Sequence, residues 1–144
     1  MRSHRRLYVL DANALVSLLE NRPVAASRVR HLLEEASLNV HPLLLSSINW
    51  GEVFYITWRS HGEEGALAAE RQIQELPIAI IPIDRDRATR AATLKQKHNL
   101  GYADSFAAEL AIEKKAWLVT ADPEFSKLGK ILSVYALPRH EYSG

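Results

Sequence analysis

The sequence predicts an α/β sandwich built on a mostly parallel sheet of four or five strands. Short, almost wholly apolar runs recur at residues 7–10, 43–45, 78–83, 117–119 and 131–134. Continuous apolarity, rather than alternation, is what a strand covered on both faces requires. Amphipathic stretches long enough for helices separate these runs, so strand and helix alternate as they do in parallel crossovers. Three runs are followed closely by aspartates, Asp11, Asp84 and Asp122. That is the sheet edge where folds of this class keep their functional crevice.

Residues 7–10 suit a first strand. Residues 12–20 then read as a helix with Leu15, Val16, Leu18 and Leu19 on its apolar side, broken by Asn21, Arg22 and Pro23. A second helix at 24–36 carries Val29, Leu32 and Leu33 inward, and the two make a hairpin leaning on the first strand. The second strand lies within 39–47, centred on 43–45, with Ser46 and Ser47 as turn or cap. A helix of about twelve residues follows from Ile48. Ile48, Glu52, Tyr55, Ile56 and Arg59 share one side of it, and Trp50, Phe54 and Trp58 lie toward another. Apolar character on two sides suits a helix buried twice over or one that meets a partner chain.

His61 and Gly62 interrupt this helix, and residues 63–76 resume it through Leu67, Ala68, Ile73 and Leu76 until Pro77. The third strand, within 78–83, is disturbed near its exit by Pro82. Residues 84–97 return to helix through Ala88, Ala91, Ala92 and Leu94, with Asp84 and Asp86 as caps ahead of it. Gly101 turns the chain into the next helix. There Phe106, Ala107, Leu110 and Ala111 recur at helical spacing, and Lys114 and Lys115 suit the carbonyl end. The strand at 117–119 returns to polarity at Thr120 and Asp122. A helical turn at 124–128 and a last strand at 131–134 follow.

At 144 residues the chain is expected to form a single domain, with residues 1–6 as a basic extension and 135–144 as a tail. The absence of cysteine excludes disulfides, thiol catalysis and thiolate metal sites. No apolar run reaches membrane-spanning length, and the one before Asp11 is too short for a secretory signal, so a cytoplasmic protein is expected. A net charge of +1 does not decide for or against nucleic acid, because a groove can be basic locally. Arg2, His4, Arg5 and Arg6 read more simply as a solvated tail than as a phosphate contact.

Four acids are candidates for one site: Asp11 and Asp122 beyond strands, Glu52 on the third helix and Asp104 at the opening of the late one. Carboxylates converging in one cleft raise each other's pKa, and a hard divalent cation relieves that repulsion. Each acid also has a capping explanation. Asp11 can cap the first helix. Glu52 lies three residues after Asn49, at capping-box spacing. Asp104 suits a first helical turn, and Asp122 precedes Pro123, a strong capping pair. There is no Gly-rich phosphate loop, HExxH, nucleophile elbow or calcium loop, and the histidines are scattered.

Taken together, these residues resemble the PIN domain, the metal-dependent nuclease fold of VapC toxins in type II toxin–antitoxin pairs. Leu10-Asp11-Ala12-Asn13 resembles the family's first motif, and Asn49-Trp50-Gly51-Glu52-Val53 the second, although Gly51 stands where alanine or threonine is common. Tyr102-Ala103-Asp104-Ser105 is similar to the third, and Leu118-Val119-Thr120-Ala121-Asp122 to the fourth. The resemblance implies a three-layer α/β/α sandwich. It implies an acidic, metal-binding site of Asp11, Glu52, Asp104 and Asp122, supported by Asn13 and Thr120. It also implies Mg²⁺, with Mn²⁺ able to substitute, a homodimer, and a small antitoxin encoded beside the gene.

The expected activity is hydrolysis of RNA phosphodiesters, in structured or looped RNA, leaving 5′-phosphate and 3′-hydroxyl ends. Arg59, Lys95, Lys97 and the N-terminal arginines are available for phosphates. Trp50 or Tyr102 is available for bases. Two other readings stay open: a catalytically silent RNA- or protein-binding module of the same fold, and an RNA-processing nuclease outside a toxin–antitoxin pair.

Overall fold

The computed structural model describes residues 6–39 and 41–139; Arg2, His4 and Arg5 of the basic start and His140 of the tail lie outside them. In chain order the elements are β1 (Tyr8–Leu10), α1 (Ala12–Leu19), α2 (Ala25–Asn39), β2 (Leu43–Ser46), α3 (Ser47–Gln74) and β3 (Ile78–Ile81). Then come α4 (Arg85–His98), α5 (Tyr102–Lys114), β4 (Trp117–Thr120), a 3₁₀ segment (Pro123–Ile131) and β5 (Ser133–Ala136). The strands form one sheet in the order β3-β2-β1-β4-β5, and each of the four pairings is parallel. Every crossover therefore runs through helix or 3₁₀ structure, as parallel pairing demands.

The register sorts side chains to two faces. Leu10 pairs with Leu45 on one side and Val119 on the other, and all three join a core with Leu15, Leu18, Val29, Leu32 and Val53 of α1, α2 and α3. Val9 pairs with Leu118, and both join a second core with Ala107, Leu110 and Ala111 of α5 and with Phe125 and Leu128. This period-two division, with helices over each face, is the three-layer sandwich. Strands with both sides occupied are why the apolar runs are continuous. Every residue of α5 from Ser105 to Ala111 is buried, and the alanines let it lie close against the sheet.

Several boundaries differ from expectation. The second helix begins at Ala25 because Val24 takes a left-handed conformation (φ 69°), and it runs on to Asn39. The last strand is 133–136 rather than 131–134, since Ile131 closes the 3₁₀ segment and lies exposed, while Ser133 pairs with Trp117. Arg6 stacks its guanidinium 4.4 Å from the Trp117 ring, at the amino end of the sheet and so on the side opposite Asp11 and Asp122. Among the described residues no helix is long and apolar enough to cross a membrane.

The two glycines of α3 singled out above differ in kind. Gly62 has φ 74° and ψ 178°, which breaks the helix into two halves at the expected interruption. That region is open essentially to glycine alone. Gly51 is helical, and an added Cβ there meets nothing within 4 Å. Thermal melts are expected to separate them: Gly51→Ala stabilises by up to about 1 kcal/mol, and Gly62→Ala destabilises by roughly 1–3 kcal/mol.

Candidate active site

β1 ends at Leu10, and the next residue, Asp11, is both the N-cap of α1 and 2% exposed. Its Oδ1 accepts the backbone N–H of Ala14 at 2.7 Å, so the capping role is real. Its Oδ2 accepts a short hydrogen bond from the Thr120 hydroxyl. Pairing of Leu10 with Val119 brings these two strand exits side by side. Thr120 Oγ1 in turn accepts the N–H of Asp122 at 2.9 Å, and Asp122 Oδ1 caps the 3₁₀ segment through the N–H of Glu124. One buried hydroxyl thus links both strand-exit acids.

Glu52 arrives on α3. The capping-box explanation for it fails, because Ser46 caps this helix by accepting the N–H of Ile48. Asn49 is already inside the helix and buried, and its Nδ2 donates to Ala103 O at 3.1 Å. This bond ties α3 to the first turn of α5 one residue before Asp104; the amide oxygen, Asn49 Oδ1, is buried with no hydrogen-bond partner among the described residues. Asp104 lies half-buried in that turn. Gly101 is fitted to it, since a Cβ there would stand 3.1 Å from Asp104 Oδ2.

Asp11, Glu52, Asp104 and Asp122 line one cleft of about 630 Å³, together with Asn13. A capping function and a place in the cleft coexist for Asp11 and Asp122. Burial is the largest cause that pushes the Asp11 carboxyl up to about 7; the bonds from Thr120 and Ala14 oppose it, and the charges of Asp104 and Asp122 add to it. Burial also pushes Asp104 up to about 6, followed by the charges of Asp122, Glu52 and Glu124.

An all-oxygen donor set in which burial and neighbouring charge raise the Asp11 and Asp104 carboxyls fits a hard divalent cation. Among the described residues no three His, Cys, Asp or Glu stand grouped as a ready cage. Magnesium does not require one, because it commonly binds through one or two carboxylates and keeps its waters.

Among the basic candidates, Arg59 lines the cleft. Lys95 Nζ instead donates to Leu100 O at 2.9 Å, and Lys97 is not among the lining residues. Trp50 packs edge-on to Phe54, and Tyr102 edge-on to Phe106, and neither lines the cleft. Two lining residues were missed from the sequence, Arg22 and Arg139. Neither stands in a motif; only the return of β5 beside β4 brings Arg139 to this edge.

A model of the PIN domain matches residues 8–131. No curated protein matches the sequence. Among solved structures the chain is similar to VapBC2 from Rickettsia felis bound to a promoter DNA fragment, at 19% identity and TM-score 0.72, covering 91% of this chain and 98% of that one. It is similar to VapBC-1 from nontypeable Haemophilus influenzae, at 24% identity and TM-score 0.67, covering 90% and 97%. It is also similar to Mycobacterium tuberculosis VapC20, a sarcin–ricin-loop-cleaving toxin, at 18% identity and TM-score 0.66, covering 91% and 99%. At these identities the likeness is one of fold.

The raised Asp11 pKa has a consequence for stability. The folded form binds a proton more tightly than the unfolded chain, for which the ordinary value is 3.8. This contribution is therefore fully present below about pH 4 and is lost as pH rises through about 7. In EDTA, Asp11→Asn keeps an acceptor for Ala14 and a group to meet Thr120 without the charge. It is expected to be more stable than the parent at pH 7.5, on the order of 2 kcal/mol, with the margin shrinking toward pH 4.5 in denaturant titrations.

Proposed function

Because this chain belongs to the PIN domain family, we propose that it is a metal-dependent endoribonuclease and the toxin of a toxin–antitoxin pair. The observation that carries this reading is the convergence of Asp11, Glu52, Asp104 and Asp122, from four separate parts of the chain, on one cleft. Asp11, Asp104 and Asp122 would hold Mg²⁺, or Mn²⁺ in its place, and Glu52 would ligate it or orient the attacking water. When bound, such an ion lowers the pKa of a coordinated water and offsets charge on the phosphoryl oxygens.

The residues of the chain supply position and proton control. Thr120 fixes Asp11 and the backbone of Asp122 relative to each other. Asn49 fixes α3 against α5, and with it the spacing between the helices that bear Glu52 and Asp104. Asn13, exposed on the rim, is placed to meet a water or a phosphate oxygen. Acidic neighbours favour the protonated form of Asp104, and a cation held among them would offset that charge and favour the carboxylate. No side-chain nucleophile is needed.

RNA as substrate is supported by the similarity to VapC20, whose name states cleavage of the sarcin–ricin loop. A small antitoxin partner is supported by the VapBC assemblies of similar fold. A homodimer is supported by the ladder of Trp50, Phe54 and Trp58 on α3, whose rings stack edge-on and leave Trp58 44% exposed.

Purified, antitoxin-free protein is expected to cut cellular RNA with Mg²⁺ or Mn²⁺, to leave 5′-phosphate ends, and to stop in EDTA. Asp104→Asn and Asp122→Asn are each expected to lower the rate at least about 100-fold. Cutting that persists in EDTA or in both variants would overturn the proposal.

A further inference from the structure

Opposite charges share the cleft without neutralising each other. Arg22, Arg59 and Arg139 line it beside the four acids, yet among the described residues no ion pair joins any of the three to Asp11, Glu52, Asp104 or Asp122. Arg22 has a carboxylate of its own, Glu20 at 2.9 Å. Arg59 lies over the Tyr55 ring, 5.1 Å from its centroid, and its Nη1 donates to the Tyr55 hydroxyl at 3.3 Å. A guanidinium held off nearby carboxylates is free for an anion from outside.

The topology orders these groups. Along the carboxyl edge of the sheet, α3 follows β2 and carries Glu52 and Arg59; β1 leads to Asp11, β4 to Asp122, and β5 to Arg139. Asp11 and Asp122 thus lie between the elements that carry the two arginines. From β2 to β5 is three strand spacings, about 14 Å, room for several phosphates at the roughly 3.4 Å axial spacing of a stacked strand. With a cation on the acids, this line presents positive charge at both ends and in the middle, matching a chain with one negative charge per unit. Beyond Arg139 the cleft meets a second groove of about 580 Å³, which shares Ala121, Asp122, Pro123 and Arg139 and is walled by Leu132, Val134 and Leu137. An apolar recess behind a phosphate contact suits an unstacked base.

Resting on the nuclease reading above, we propose that Arg59 and Arg139 clamp the phosphates on either side of the bond to be cut, so that a single RNA strand crosses the sheet edge from α3 to β5. The clamp reads backbone rather than sequence. The test is binding of labelled single-stranded oligonucleotides of unrelated sequence to the full chain bearing Asp104→Asn, over a salt series. Arg59→Ala and Arg139→Ala are each expected to weaken all sequences alike, about 10-fold, and to lower the salt slope by about 1. Arg59→Lys restores the slope but not the full affinity, and Lys97→Ala, outside the cleft, changes neither. In the cutting-competent chain the same alanine variants raise KM more than they lower kcat.

Unchanged slopes in both arginine variants, or no oligonucleotide binding at all, overturn the clamp. If metal-dependent cutting survives that result, the nuclease reading stands without it. Arginine-dependent binding with no cutting under any metal sinks the nuclease reading and, with it, the placing of the clamp about a bond to be cut. Loss of antitoxin binding with oligonucleotide binding intact assigns the arginines to a protein partner and also overturns it.

Discussion

Asp11 carries a carboxylate into a nearly dry place with two hydrogen-bond donors and, among the described residues, no ion-pair partner. Much of the architecture sets that position. The β1–β4 register brings Thr120 beside it, α1 begins on its Oδ1, and the Thr120 hydroxyl passes the constraint on to Asp122. An isolated buried charge of this kind is costly, and the protein answers by holding a proton on it rather than by supplying a base. In the proposed reading, a cation rather than folding would complete the site.

The same chain shows that buried acids need not be left so. On the seam between α4 and α5, Glu109 is 2% exposed yet receives Arg87 at 3.1 Å and Arg90 at 2.9 Å, and Arg87 reaches Glu113 at 2.8 Å. There every carboxylate oxygen of Glu109 has a guanidinium partner. In the cleft, three arginines stand nearby and, among the described residues, none pairs with Asp11, Glu52, Asp104 or Asp122; Arg22 pairs with Glu20 instead. One group of charges is neutralised as structure and the other is kept apart, a difference that packing alone does not require.

Much of this was legible in the residues. Apolar runs located β1 to β4 and came within two residues of β5, because strands covered by helices leave little polar alternation, and the aspartates beyond β1 and β4 marked the edge where the cleft lies. Other features depended on tertiary contact. Asn49 looked like a cap, but Ser46 already serves α3, and the partner of Asn49 is 54 residues away. Glu109 sits in an alanine-rich helix with nothing nearby in sequence to announce its arginines. Arg139 reaches the cleft only because β5 returns beside β4, and the shift of β5 by two residues follows from a pairing that no local pattern specifies. Arg6, at the basic start, stacks on Trp117 at the opposite end of the sheet.

The claim at the centre of this account is that the acids share a charge problem that a divalent cation resolves. Calorimetric titration of Mg²⁺ or Mn²⁺ into the protein, repeated in buffers of different ionisation enthalpy, counts the protons displaced. With Asp11 near 7 and Asp104 near 6, binding at about pH 6 should release about one proton or more, falling toward none above about pH 8. Binding with no proton release at pH 6, or no binding to the folded protein at any pH, would contradict it.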